Sequence, residues 1–292
     1  MSLSLHEMAT AKVDHSIFIT GSARSGTTIM GKLIHSLSCV EYSFEPPTLF
    51  SLIPLIGEMK KAQWLLLFQT YLYEDFFVNA ISGRNLNFNP HDDSYVLNAK
   101  SSDLINERHN GSLRKGMIDN QSDNGNIAFK MPDMVPFLDK LTEYFPYFRL
   151  ITMTRNPLAV INSLLRKAWY SDHALKNENR IYPNQAYKSY RLPFWLKKED
   201  YDYWLGLDEL NRCAFYVSVM EPQRVKDEQL IVNYDEFVQS PRSILDEICS
   251  RFGLSYGHKT EEILASIKPT TTKMVVDESE LMPELRAKLK LS

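Results

Sequence analysis

In the stretch FITGSARSGTTIMGKL (18–33), four residues separate Gly21 from Gly26. That is the spacing of loops whose backbone N–H groups cradle phosphate. In the common triphosphate-binding form, a lysine follows the second glycine and a Ser or Thr follows the lysine. Here Thr27 stands in the lysine's place, Thr28 fills the hydroxyl position, and Arg24 lies inside the loop. A glycine-rich turn that runs into a helix collects unpaired N–H groups at the positive end of the helix dipole, so it attracts anions. Arg24 adds a planar fork suited to phosphate oxygens. Ser25, Thr27 and Thr28 add hydroxyl donors. The chemistry on offer is phosphate binding.

The absent lysine narrows it. That lysine normally reaches the β- and γ-phosphates, while Mg²⁺ is held by the Ser/Thr and by an Asp at a strand end. The apolar run FRLITMTR (148–155) ends in Arg155 instead of Asp. A cation there would bind a second anion and repel a metal. Asp235, after QLIVNY (229–234), reads equally as a metal ligand or as part of a helix cap. The ligand these residues suggest is a nucleotide with phosphates at two separated places and no required Mg²⁺.

These segments resemble the sulfotransferases that use 3′-phosphoadenosine 5′-phosphosulfate (PAPS). GSARSGTTIM resembles their 5′-phosphosulfate loop, and TRNPLAVINSL (154–164) resembles their 3′-phosphate segment, an Arg followed eight residues later by a Ser. NYDEFVQSP (233–241) resembles their Tyr-acidic-acidic segment after a late strand. The Arg-Ser-Gly-Thr-Thr form is closer to the bacterial, tyrosylprotein and carbohydrate branches than to the cytosolic steroid and phenol branch. The resemblance spans roughly 16–275 and is weakest at 82–125 and 171–205, where such enzymes build acceptor specificity.

It implies that Arg24, Ser25, Gly26, Thr27 and Thr28 hold the 5′-phosphosulfate and that Arg155 and Ser163 hold the 3′-phosphate, with Tyr234 packed near the nucleotide. Thr272 and Lys273 in KPTTTKM (268–274) match a late basic, hydroxyl-rich loop that closes over it. Glu45 in YSFEPPTLF (42–50) resembles the Glu-Pro of carbohydrate sulfotransferases, where the glutamate is the base. A carboxylate whose pKa is raised by burial could take the acceptor's proton. Pro46 predicts an extended backbone at Glu45. His35, His91 and His173 are rival bases, His91 foremost. Lys130, in NIAFKMP (126–132), resembles a Lys-x-Pro segment and, with Arg24 and the loop amides, could neutralise charge developing on the bridging oxygen. The implied reaction is in-line sulfuryl transfer to a hydroxyl, or an amine, of a carbohydrate or small natural product. A P-loop kinase acting on a small molecule with ATP and Mg²⁺, or a binding or scaffold protein with a degenerate loop, are the alternative readings.

The elements that must position these groups are readable. SIFIT (16–20) predicts a buried strand and TIMGKLIHSL (28–37) a helix, giving strand, loop, helix. Residues 48–81 read as mostly helical, and 82–126 as polar surface loops around short elements. Residues 126–132 read as a second strand, 134–145 as a helix, 148–155 as a third strand and 157–169 as a helix opened by Pro157. Residues 171–205 show no clear period and read as a mobile or inserted acceptor-site lid. A helix at 207–220, a strand at 229–234 and a helix at 241–253 follow. The expected fold is α/β: one P-loop-type domain over 1–292, a parallel sheet flanked by helices, with helical and loop insertions forming the acceptor site and 1–15 as an extension. The acidic stretch DESELMPEL (277–285) reads as a solvated helix start.

Composition sets the remaining bounds. With 33 basic and 36 acidic residues among 292, net charge is −3, which argues against a general nucleic-acid binder. Cys39, Cys213 and Cys249 have neither metal nor disulfide spacing and read as reduced core residues. The N-terminus lacks a signal-peptide pattern, and the greasy stretch 62–81 is interrupted by Gln69, Glu74 and Asp75. A cytoplasmic location follows as the expectation. The stretch 62–81 could be core, a face joining two copies, or a membrane contact.

Overall fold

In a computed structural model, residues 3–110, 125–177, 183–269 and 276–291 are described. The central strand β1 (Ile17–Gly21) is buried at all five positions, as a near-continuous apolar run requires when both faces are covered. It pairs with β3 (Asn126–Lys130) on one side and β4 (Arg149–Thr154) on the other. β2 (Val40–Phe44) lies outside β3 and β7 (Leu230–Asn233) outside β4, so the order is β2-β3-β1-β4-β7 with every ladder parallel. The register pairs Phe44 with Lys130, Ile19 with Lys130, Gly21 with Met153 and Thr154 with Asn233. The carboxyl ends of the five strands therefore form one rim, where open α/β sheets hold their ligands.

Helices cover both faces. The Thr27–Ser36 helix buries Met30, Leu33 and Ile34 against Ile17, Ile19 and Ala128. On the other face, Phe18, Ile127 and Phe129 meet an aromatic cluster built on Trp64, Phe68 and Phe145. A third cluster joins the Pro157–Leu165 and Glu209–Val219 helices through Val160, Ile161, Ala214 and Tyr216. Gly253, at φ +66°, ends the Pro241–Phe252 helix in the left-handed conformation that glycine adopts without strain.

Several expectations change. The strand β2 was not legible: VEYSF interrupts its apolar pattern with Glu41 and Ser43, both buried. The strands read from sequence as second and third are consequently third and fourth. Residues 82–110 are not all surface loop. The Ser102–His109 helix turns Arg108 inward, where Nη2 reaches Glu41 Oε1 at 2.6 Å and Nη1 reaches Oε2 at 3.1 Å. Segment 171–205 has regular structure: a helix at Asp172–Asn177, an antiparallel hairpin of β5 (Asn184–Tyr187) and β6 (Tyr190–Pro193), and a helix at Tyr201–Gly206. The N-terminal extension carries a helix, Glu7–Asp14, that buries Ala9 and Val13. Cys213 and Cys249 are buried as expected, but Cys39 is exposed, on the turn leading into β2. Among the described residues, no helix is long and apolar enough to cross a membrane.

Most aromatics of 49–81 are core. Phe50, Trp64, Phe68 and Phe77 are essentially inaccessible, and Trp64 stacks on Phe68 at 4.8 Å between ring centroids. Trp64→Ala should cost about 3–5 kcal/mol, read as a lower urea midpoint at unchanged slope. A loss below about 1 kcal/mol would remove Trp64 from the set of side chains that hold this layer.

Candidate active site

The rim begins with the loop after β1. Gly26, at φ +90°, caps the Thr27–Ser36 helix with no side-chain hydrogen bond, which leaves the first-turn N–H groups for an anion. A Cβ on Gly26 would overlap the ring of Tyr234, so only glycine lets the loop sit on that ring. Thr27 is the first helical residue and is buried; Thr28 is half-buried beside it. Ser25 differs from expectation. Its hydroxyl donates to the Ser22 carbonyl at 2.6 Å, and its N–H bonds the same oxygen at 3.2 Å. Both donors close the turn and do not face outward.

Two cationic segments meet over this loop. Arg24, exposed and at φ +72°, donates from Nε to Ser163 Oγ at 3.0 Å. Arg155 donates from Nη1 to the Arg24 carbonyl, also at 3.0 Å. The Pro157–Leu165 helix starts at the rim, with Asn156 capping Ala159 N–H, and presents Ser163 two turns later, buried and facing the loop. Arg155 lies over the Tyr234 ring at 4.5 Å, and its Nε is 4.0 Å from Asp235. Tyr234 opens the Tyr234–Gln239 helix, whose cap is Asn233, bonded to Asp235 and Glu236 N–H. Asp235 accepts from Asn156 N–H at 3.3 Å, so it acts in a turn clamp.

On the other side of the loop, half-buried Glu45 and buried Lys130 form an ion pair. Lys130 is fully inaccessible. Its ammonium also lies 3.4 Å from Thr28 Oγ1 and 4.0 Å from the centre of the Phe44 ring. Burial, opposed by Glu45, lowers its pKa below the usual lysine value. Glu45 is not extended: its φ is +44°. Its N–H donates to Lys130 O at 2.9 Å, which carries the β2–β3 ladder one step further, and the side chain turns back onto the same residue's ammonium. That double attachment to Lys130 overrides the local bias set by Pro46.

Of the rival histidines, His35 lines the cavity along the edge of β2. His35 is in the last turn of the Thr27–Ser36 helix, at the far end of the sheet. Burial, then Lys100, pushes its pKa down to about 3. His91 and His173 are exposed, His91 in a loop and His173 beside Asn177. Thr272 and Lys273 lie outside the described residues.

Beside Phe44, along the open edge of β2, is a cavity of about 310 Å³. Tyr71, Phe76, Asp75, Asn85, Asn87 and Ser94 line it. Tyr71 and Asp75 belong to Tyr71–Val78, which winds as a π-helix, a form frequent at functional sites.

A sequence profile described as the sulfotransferase family matches residues 16–258, a span that contains the whole rim. The chain belongs to this family. Membership makes it a sulfotransferase and disfavours the kinase reading. Three solved structures of low identity align over most of the chain. The sulfotransferase domain from the Synechococcus PCC 7002 olefin synthase is 17% identical, covering 94% of this chain and 86% of its own, with a TM-score of 0.44. Sulfotransferase STF9 from Mycobacterium avium is 15% identical, covering 97% and 77%, with a TM-score of 0.49. Sulfotransferase STF1 from Mycobacterium tuberculosis H37Rv is 14% identical, covering 97% and 81%, with a TM-score of 0.42. No curated protein matches the chain.

In this sulfotransferase, two residues at the rim escaped the sequence reading. Asp133 and Tyr216 both bond the glycine-rich loop after β1 at Ala23 N–H. The available signals were an aspartate directly after Lys-x-Pro and a lone tyrosine hydroxyl in the apolar helix segment CAFYVSV.

The Glu45–Lys130 pair generates a stability prediction. Glu45→Ala leaves an inaccessible ammonium without its carboxylate and should cost about 3 kcal/mol. Adding Lys130→Met should recover much of that loss. Chemical denaturation of both proteins checks it; equal destabilisation by the single and the double variant would contradict the coupling.

Proposed function

We propose that the chain transfers the sulfuryl group of PAPS to a hydroxyl, or an amine, of a carbohydrate or small natural product, in the cytoplasm and without a metal. The observation that carries this reading is the joining of two cationic segments. Arg24 reaches Ser163, and Arg155 reaches the Arg24 carbonyl, over a helix N-terminus with no side-chain cap. A nucleotide with one anionic group at the loop and a second phosphate nearby fits that donor set.

In this reading, Gly26, Thr27 and Thr28 supply N–H and hydroxyl donors to the 5′-phosphosulfate, with Arg24 beside them and Ser25 bracing the turn. Arg155 and Ser163 hold the 3′-phosphate. Tyr234 supports Gly26 and Arg155 from below, and Thr272 and Lys273 belong to the closing loop. When bound, the nucleotide supplies the sulfuryl group and a phosphate leaving oxygen. Glu45 takes the acceptor's proton. In the resting pair, the Glu45 carboxylate and the Lys130 ammonium hold each other in place. Lys130, beside Thr28, would supply positive charge near the bridging oxygen, with Glu45 next to it as the base. The acceptor occupies the cavity beside Phe44. Its aromatic rings, amides and carboxylate suit a polyhydroxylated group, and about 310 Å³ is at the small end of ligand sites.

Titration calorimetry with adenosine 3′,5′-bisphosphate, beside ATP, tests the cofactor. Tight binding of the bisphosphate, unchanged by EDTA, is expected; ATP binding that requires Mg²⁺, with none of the bisphosphate, would sink the reading. Arg155→Ala should weaken bisphosphate binding about tenfold or more, the value of a charge-assisted hydrogen bond. Glu45→Gln should keep that affinity and lower kcat by about 10²–10⁴. Full turnover by Glu45→Gln would move the base to another residue.

A further inference from the structure

Asp133 lies three residues beyond Lys130, just past the end of β3, with φ +67°. Among non-glycine residues, aspartate and asparagine are the types that take up this left-handed region most readily. Two backbone bonds hold the segment there: Met131 N–H donates to Ile19 O and Asp133 N–H to Gly21 O, each at 3.0 Å. The side chain turns toward the phosphate loop. Its Oδ1 accepts from Ala23 N–H at 3.1 Å and from the Tyr216 hydroxyl. The Tyr216 oxygen is itself 2.5 Å from Ala23 N, and Tyr216 is wholly buried on the Glu209–Val219 helix. Ala23 N–H is thereby withdrawn from the amides that can face an anion. It becomes the fixed point from which the loop turns into Arg24–Gly26.

The groups that face this carboxyl are Tyr216 from the Glu209–Val219 helix, Ala23 N–H from the loop, Lys130 from β3 and Glu45 from the end of β2. Burial outweighs the donors and pushes the carboxyl up to about 6. An anion bound in the loop adds like charge nearby, which favours the neutral acid.

We propose that Asp133 is a positioning residue of the phosphate loop, and that its carboxyl takes up a proton from solvent as the doubly phosphorylated nucleotide enters the cradle. This rests on the nucleotide reading given above. The proton goes to Oδ2, while Oδ1 accepts from Ala23 and Tyr216 in either state. The loop keeps its shape, and a negative charge beside the incoming anion is removed. Because the complex holds more protons than the free protein, affinity falls as pH rises above about 6.

The test is calorimetry with adenosine 3′,5′-bisphosphate between about pH 5.5 and 8.5, in two buffers of different ionisation enthalpy, on the parent and on Asp133→Asn, Asp133→Ala and Tyr216→Phe. The ligand's own phosphates titrate equally in every protein, so the difference from Asp133→Asn isolates Asp133. Asp133→Asn keeps the acceptor. It should take up fewer protons than the parent, and its affinity should fall about tenfold less across the range, the equivalent of one pKa unit. Asp133→Ala loses the acceptor and should bind weakly at every pH. Tyr216→Phe removes a donor to the ionised form, so its window of proton uptake should move to higher pH; this variant stands in if Asp133→Asn fails to fold. Equal proton uptake in parent and Asp133→Asn, or an unmoved window in Tyr216→Phe, overturns the inference and leaves the cofactor reading intact. Absence of bisphosphate binding in the parent overturns both.

Discussion

An inaccessible ammonium organises the rim of this molecule. Lys130 ends a strand that lies between two others, so its side chain has no route to water. A charge in that position is tolerable only with a counter-ion and further polar contacts. Glu45 supplies the carboxylate, Thr28 a hydroxyl oxygen and Phe44 an aromatic face. Each of those three belongs to a segment that must then be held in place: the left-handed turn after β2, the first turn of the loop helix, and the end of the edge strand. The positive φ at Glu45 is the cost of that arrangement, and it brings this carboxylate against the loop after β1.

The rim also separates opposite charges with care. Arg24 and Arg155 come together on one side of the loop, where a phosphate-rich ligand would neutralise both. Glu45 and Lys130 neutralise each other on the other side. A second buried ionic group, Glu41 with Arg108 and Lys100, lies at the opposite end of β2 and near no rim residue. One short edge strand thus has an ion pair at each end, and the cavity beside Phe44 runs between them.

Local patterns carried much of this. Strand, glycine loop and helix were legible because β1 is uniformly apolar and the Thr27–Ser36 helix keeps a clean period. Arg155-Asn-Pro was legible as a strand end followed by a capped helix. β2 was not, since Glu41 and Ser43 are buried through partners distant in sequence, and burial of that kind leaves no periodic trace. The hairpin in 171–205 was hidden for a related reason: its four-residue strands are too short to show alternation among so many aromatics. At the site, residue types pointed correctly to a cationic loop, and residue 24 does meet residue 163. The inward turn of Ser25 and the backbone of Glu45 could not be read, because both are decided by hydrogen bonds to backbone carbonyls. Asp133 and Tyr216 were missed because neither type signals anything until a third residue, Ala23, is placed between them.

The bond from Ala23 to Tyr216 spans 193 positions of the chain, and Gly26 rests on a ring at position 234. Both supports come far later in the chain than the loop they hold. Contacts of such long range form late and slowly. Until those later segments dock, the chain has the loop's residues without the loop's shape. The loop takes its final shape only when the segments around Tyr216 and Tyr234 dock. A chain broken before them carries Arg24, Thr27 and Thr28 but lacks the contacts that shape the loop around them.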